Sequence, residues 1–186
     1  MKYTICTQPA TPNIDSLPVY KIIDYPLETK DYKPFAQARL CMTPTELMLE
    51  LWAFEAHPRP QSMLRAVFTT RAGNRMLVLD CYSGGSVGCV ARTPSGETKL
   101  SITSHSMAGE DLQGEYWGAT VHLPRSLVEQ QLGKGCCSAG SVLLGNIYKL
   151  SDSSDKPHKG SLFTADFAGG REYSLHSLAE FAIVKY

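Results

Sequence analysis

Strict alternation of apolar and polar residues from Ala36 onward is the feature that most restricts the fold. Apolar residues recur at every second position in "AQARLCM", and again in "ELMLELWAFEA", with the turn "TPT" between them. Side chains that alternate with a period of two belong to β-strands with one buried face. The two segments therefore predict a β-hairpin whose second strand buries Leu47, Leu49, Leu51 and Ala53. By the same phase, "EYWGATVHLP" turns Trp117 inward.

Further short strands follow at regular spacing. "SMLRAVFTT", "RMLVLDCYS", "VGCVART", "ETKLSITS", "SVLLGNIYKL" and "AEFAIVKY" are each bounded by Gly, Pro, Asn or Ser turns. "PRSLVEQQLG" has helical spacing, with Pro124 at its start and Gly133 at its end. We predict one all-β domain over residues 1–186, an antiparallel β-sandwich or jelly roll with a short helix near residues 125–132. The proline-rich residues 1–35 are predicted to form an extended lead-in.

The charge composition excludes several classes of partner. Eighteen Lys and Arg balance eighteen Asp and Glu, so no net field attracts nucleic acid or an anionic membrane surface. The apolar stretches are far shorter than the ~20 residues of a spanning helix. No apolar stretch of a signal peptide follows Lys2, so we expect a cytoplasmic chain, or an extracellular one if a leader has been removed.

The six cysteines lack metal-finger spacing, and a domain of this size needs no disulfides. We expect reduced and mostly buried thiols. The pair to watch is Cys81 and Cys89, which could face one another across a hairpin at "SGGS".

The order of several motifs resembles carbohydrate-binding module family 9-like domains, β-sandwich modules related to the DOMON-like fold. The residues that carry the resemblance are "LPVYKIIDYP", "KDYKPFAQARLCMTPTELMLELWAFEAHP", "EYWGATVHLPRSLV", "GNIYKL" followed by "HKGS", and "LHSLAEFAIVKY". They span nearly the whole chain, and their collinearity gives the match its weight. The resemblance implies a non-catalytic module that binds a saccharide.

Two departures from the family pattern affect the expected site. Sugar-binding members generally present an acidic "D-x-V-E-x-F" strand, whereas "SMLRAVF" has Arg65 and Ala66 there. Members also tend to carry a tryptophan after the strand that "GNIYKL" resembles, where this chain has Leu162 and Phe163. A clamp of two tryptophans on a pyranose ring is therefore not available from these positions.

Sugar binding in water needs aromatic faces that stack on the ring and planar polar groups that bond to hydroxyls. The aromatic candidates are Trp52, Tyr116, Tyr148 and Phe163, and the polar ones are Arg65, Arg92, Glu115, Asn146, Lys149 and His158. From these, the predicted ligand-binding set is Trp52, Arg65, Arg92, Glu115, Asn146, Tyr148, His158 and Phe163. We expect Gly145–Tyr148 to face the ligand, and His158 and Phe163 to line the rim from a flexible loop. A core position for Trp52 is an equally good interpretation.

No cofactor or metal is predicted. Asp152 and Asp155 offer two carboxylates without the spacing of a calcium loop, which leaves a structural calcium open. No nucleophile elbow, phosphate-binding loop or zinc motif is present, so we do not expect an enzyme. The alternative is a structural or protein-interaction sandwich that has lost its sugar site, with a flat aromatic patch instead of a concave one. The oligomeric state is not predicted.

Overall fold

Strands make up most of the chain in the computed structural model, which describes residues 2–28, 33–112 and 114–185. Thirteen strands lie within these residues: β1 (Lys2–Thr7), β2 (Tyr20–Ile22), β3 (Phe35–Met42), β4 (Glu46–Phe54), β5 (Met63–Thr69), β6 (Met76–Tyr82), β7 (Val87–Thr93), β8 (Gly96–Leu100), β9 (Thr103–Asp111), β10 (Gly114–Pro124), β11 (Val142–Ser151), β12 (His158–Ser161) and β13 (Ala179–Val184). The predicted all-β class is confirmed. The helix α1 (Arg125–Leu132) is also confirmed, and it ends at Gly133, whose φ is +118°.

The strands form one continuous, curled sheet. Its order is β8-β7-β6-β5-β11-β13-β1-β3-β4-β10-β9, with β12 beside β11 and β2 beside β3. The predicted antiparallel arrangement is wrong at β1, which runs parallel to both β13 and β3. Because hydrogen bonding follows one path instead of two separate sheets, the sandwich or jelly roll is not confirmed. The extended lead-in contributes this β1 strand to the middle of the sheet.

The inward-facing residues that the apolar–polar alternation predicted lie in the main hydrophobic core. Leu47, Leu49, Leu51 and Ala53 of β4 are fully buried, and Trp117 is 3% exposed. They share one cluster with side chains from the other half of the sheet, including Phe68 of β5. Since one cluster contains side chains from both halves, the sheet curls over its own apolar face.

The outer face of β5, β6 and β11 is covered as well. Val67, Val78, Leu144 and Tyr148 pack there against Phe167 and Leu178, which lie in the segment before β13. Both faces of β11 are therefore buried, and every residue from 143 to 149 is buried. This corrects the expectation that Gly145–Tyr148 faces a binding surface.

Close backbone approach explains two of the strand glycines, Gly145 of β11 and Gly118 of β10. A Cβ on Gly145 would lie 2.5 Å from the carbonyl oxygen of Val67 and 2.8 Å from the Phe68 ring. A Cβ on Gly118 would lie 2.0 Å from the carbonyl oxygen of Leu51. Neither position has room for a side chain.

The six cysteines are free thiols, and only Cys136 is not fully buried. Burial raises the pKa of both Cys81 and Cys89 to about 12. Within the described residues, no helix is long and apolar enough to cross a membrane.

Candidate functional site

A pocket opens where the β9–β10 edge meets the loop that follows β4. Its volume is about 440 Å³, within the roughly 300–1,000 Å³ common for small-molecule sites. We call it the Tyr116 pocket, and its described lining residues are Glu55, Pro58, Ser83, Ala108, Gly109, Glu110, Glu115, Tyr116 and Trp117. The lining combines two aromatic rings with three carboxylates, which is a mixture suited to a ligand with both apolar and hydroxyl-bearing faces.

Neighbouring strands fix the ring of Tyr116. The Trp52 ring stacks on it with centroids 5.0 Å apart and planes 11° apart. On the other neighbouring strand, a Cβ at Gly109 would lie 2.7 Å from the Tyr116 hydroxyl oxygen, so the glycine leaves room for the ring. Trp52 is half-buried, and its indole N–H has no hydrogen-bond partner among the described residues. Trp52 therefore supports the pocket through Tyr116.

Glu115 holds the loop that forms one pocket wall. Its Oε2 atom accepts a hydrogen bond of 2.6 Å from the backbone N–H of His57, and its Oε1 lies 3.4 Å from the His57 Nδ1. His57 has a φ of +52°, which is uncommon for a residue other than glycine. The Glu115 side chain remains 39% exposed, so its carboxylate can also accept bonds from a ligand.

A buried network of charged side chains lies behind the pocket. The Lys149 Nζ atom is 2.9 Å from Glu55 Oε2, and the two side chains are 0% and 1% exposed. The same Oε2 accepts hydrogen bonds from the Ser62 hydroxyl at 2.6 Å and from the Trp117 indole N–H at 3.2 Å. The network thus fixes Glu55 and Trp117, both of which line the pocket.

His158 completes this network. Its Nε2 lies 2.7 Å from Lys149 Nζ, and its Nδ1 lies 3.0 Å from the carbonyl oxygen of Lys156. An ammonium donates to Nε2, so the tautomer protonated at Nδ1 satisfies both contacts. Burial, together with the Lys149 charge, lowers the pKa of His158 to about 4. The imidazole is therefore neutral near pH 7.

Burial acts on both members of the ion pair. It lowers the pKa of Lys149 to about 8, although the Glu55 carboxylate opposes the shift. Burial alone would raise the pKa of Glu55, but the charge of Lys149 and the Ser62 hydrogen bond hold it below its ordinary value. Perturbed ionisable groups beside a pocket are typical of functional sites, although structural ion pairs show the same shifts.

The structure brings three of the eight predicted residues to this region. Glu115 lines the pocket, Trp52 stacks on a lining residue, and His158 lies in the network behind it. The predicted position of His158 on a flexible loop is wrong, because it begins β12 and is 1% exposed. The ligand-binding role of these residues stays a prediction.

Arg65 and Arg92 meet elsewhere, around the ring of Tyr173. Arg65 donates to both carboxylate oxygens of Asp80, at 2.6 and 2.8 Å, and to the Tyr173 hydroxyl at 2.5 Å. The guanidinium carbons of Arg65 and Arg92 lie 5.8 and 5.4 Å from the Tyr173 ring centroid. Arg92 also pairs with Glu97. Because these charges are paired, the arrangement offers few free groups to a ligand.

Asn146, Tyr148 and Phe163 tie the covering segment to β11. The Asn146 amide donates to the carbonyl oxygens of Phe163 and Ser177 at 2.7 and 2.9 Å. The Tyr148 hydroxyl donates to the carbonyl oxygen of Glu172 at 2.6 Å. Asn146 and Tyr148 are fully buried and Phe163 is half-buried. In this arrangement the three residues stabilise the fold. A ligand contact stays a prediction for each, although Asn146 and Tyr148 expose no surface that a ligand could touch.

Glu55, Glu110 and Tyr173 were not predicted. Glu55 had a signal, since it continues the inward phase of Leu47 to Ala53 and so places a charge in the core. Lys149 had the same signal, because it continues the phase of Leu143 and Ile147. Two opposite charges at inward positions indicate a buried pair. Nothing in the sequence pattern distinguishes Glu110 from other exposed glutamates.

Asp152 and Asp155, the two carboxylates that left a structural calcium open, do not lie together in a site. Asp155 pairs with Arg59, while Asp152 is exposed. Over residues 2–28, 33–112 and 114–185, no group of three His, Cys, Asp or Glu side chains is arranged to hold a metal ion.

Comparison with known proteins shows similarity of fold. No family model and no curated protein matches the chain. A crystal structure of a Bacteroides uniformis protein with a presumed carbohydrate-binding role is 15% identical, with a TM-score of 0.73, and the match covers 97% of this chain and 99% of that one. A carbohydrate-binding module of family 9 from Caldicellulosiruptor kristjanssonii, in complex with cellotriose, is 9% identical with a TM-score of 0.61, covering 100% and 95%. A family 9 module from the same organism in complex with glucose is 9% identical, with a TM-score of 0.60. That match covers 100% of this chain and 97% of the other.

Proposed function

We propose that this chain is a non-catalytic saccharide-binding module and that the Tyr116 pocket is its ligand site. The observation that carries the proposal is the lining itself, where a braced aromatic ring lies beside the carboxylates of Glu110 and Glu115. The shared fold supports it, because the family 9 modules were solved with cellotriose and glucose bound. A relation to the DOMON-like fold stays a prediction.

The lining residues would make two kinds of contact with a saccharide. The Tyr116 ring would stack on the apolar C–H face of a pyranose. The two exposed carboxylates would accept hydrogen bonds from hydroxyls, with up to four lone-pair positions each. His158 lies inside the buried network at 1% exposure, and its contact with a ligand stays a prediction. These groups bind and orient, which favours a module without catalysis.

Isothermal titration calorimetry with glucose and cellotriose tests the proposal. We expect saturable binding that Tyr116→Ala weakens roughly tenfold, since an aromatic contact is worth about 0.5–1.5 kcal/mol beyond the area that it buries, and a tenfold change in Kd corresponds to about 1.4 kcal/mol. Tyr173→Ala is the matched control, because Tyr173 is also a half-buried tyrosine but lies beside Arg65 and Arg92. It should bind like the unmodified chain.

Three results would overturn the assignment. No heat of binding for glucose, cellotriose or glucosamine at millimolar concentration would reject saccharide binding and favour the interaction module. Unchanged binding by a folded Tyr116→Ala variant would reject this pocket. Loss of binding in Tyr173→Ala alone would move the site to the Arg65 and Arg92 surface.

A further inference from the structure

The Tyr116 pocket is acidic although the whole chain is neutral. Three of its described lining residues are glutamates and none is basic. The Glu110 side chain is exposed and makes no hydrogen bond or ion pair with the described residues around it. The basic side chains on the adjoining segments are engaged, because Arg59 pairs with Asp155 and Lys156 Nζ donates to the carbonyl oxygen of Ala56. The charge of Glu55 is paired with Lys149, whereas no Lys or Arg side chain of the described residues pairs with Glu110 or Glu115.

Glu55 supplies a second, independent indication. It lines the pocket at 2% exposure, and its Oε1 atom accepts no hydrogen bond from the described residues. Lys149, Ser62 and Trp117 all bond to the other oxygen, Oε2. The Nε2 atom of His158 is 3.9 Å from Oε1, too far for a hydrogen bond. A buried carboxylate oxygen without a donor is costly, and a donor on a ligand would satisfy it.

We infer that the pocket selects a saccharide that carries a protonated amine, that is, an amino sugar. This inference rests on the proposed saccharide-binding function and names its ligand class. An ammonium group has three N–H donors and no acceptor, which matches a wall of carboxylates. Its bonds to carboxylates are charge-assisted and stronger than those of a hydroxyl. It is also attracted to the face of an aromatic ring such as Tyr116.

A comparison of three sugars isolates the contribution of the amine to the binding affinity. Glucosamine, glucose and N-acetylglucosamine share a pyranose ring, but only the first carries a positive charge at pH 6. We expect glucosamine to bind at least roughly tenfold more tightly than glucose, in line with a charge-assisted hydrogen bond. N-acetylglucosamine should show no such advantage. Raising the salt concentration should reduce the glucosamine advantage, because ions screen exposed charges.

Charge-removing variants connect the preference to the pocket. Glu110→Gln should weaken glucosamine binding more than glucose binding, because the amide oxygen still accepts a hydrogen bond from a hydroxyl but carries no charge. This variant should fold because the Glu110 side chain is exposed. Glu115→Gln should reduce the advantage of glucosamine further. Glu97→Gln is the matched control, since Glu97 is an exposed strand glutamate paired with Arg92, and it should keep the advantage.

The outcomes distinguish this inference from the proposed function. Equal affinities for glucose and glucosamine would overturn the inference and leave saccharide binding intact. Binding by none of the three sugars would overturn both. An advantage that persists in a folded Glu110→Gln/Glu115→Gln variant would also overturn the inference, because the charge that selects the amine would then lie elsewhere.

Discussion

Replacing Lys149 with methionine should destabilise the protein strongly. The lysine is the cationic partner of Glu55 at 2.9 Å, and it also contacts Ser62 and His158 at 2.5 and 2.7 Å. Methionine fills a similar volume but leaves a buried carboxylate without its counter-charge. Breaking a buried pair from one side costs about 3–5 kcal/mol, a large part of the roughly 5–15 kcal/mol that stabilises a typical domain.

Urea unfolding at pH 7, followed by circular dichroism, measures this loss. Lys99→Met is the matched control, because Lys99 is an exposed strand lysine, and its free energy of unfolding should change by less than about 0.5 kcal/mol. Glu55→Gln/Lys149→Met removes both charges and should be more stable than Lys149→Met alone. In the single variant the unpaired Glu55 should take up a proton as the pH falls. The deficit relative to the unmodified chain should therefore shrink toward pH 5.

The reasoning would be refuted by two results. A loss below about 1 kcal/mol in Lys149→Met would mean that Glu55 is not held as a charge by this lysine. A double variant that loses the full sum of the two single losses would mean that the residues act independently.

Two further changes follow from the structure. Burial lowers the pKa of His158 to about 4, below its ordinary 6.5. As the pH falls, the unfolded chain therefore takes up this proton before the folded chain does. The free energy of unfolding should consequently fall by up to roughly 3 kcal/mol between pH 6.5 and pH 4. His158→Gln should show a shallower fall over that range in urea titrations, and an equal slope would contradict the shifted pKa. Gly118→Ala should cost at least about 2 kcal/mol, because its Cβ would lie 2.0 Å from the Leu51 carbonyl oxygen. Gly88→Ala, at a strand glycine with no atom within 4 Å, is its control, and equal thermal melting of the two variants would be the contrary result.

The strands and the helix were predictable because their signals are local. Alternation along β4 and β10 places the inward residues, and Pro124 with Gly133 bounds α1. The neighbours of a strand are not a local property. Residues 2–7 show nothing that distinguishes a parallel partner from an antiparallel one, and β1 gains its position from Phe181 and Cys41, far away in the sequence. That is why the antiparallel prediction failed at β1.

The site was predictable in part for the same reason. Glu115 and Trp52 carry residue types that suit sugar binding, and both lie at or beside the pocket. Asn146 and Tyr148 have equally suitable types, but a covering segment of the chain buries them. No periodicity within β11 shows that its outer face is covered. Residue type alone therefore does not identify a ligand contact. One must also know which other part of the chain packs on each face of the strand.

The buried charges are better explained by the pocket than by stability. A buried ion pair is often no more stabilising than apolar residues of the same volume, so stability alone does not account for Glu55 and Lys149 in the protein interior. Their geometry does have a local effect, because the shared Oε2 atom holds Glu55 and the Trp117 indole in place as pocket walls. If this is the role of the network, Glu55→Gln/Lys149→Met should fold and yet bind saccharide more weakly. A folded double variant with unchanged affinity would assign the network to folding alone.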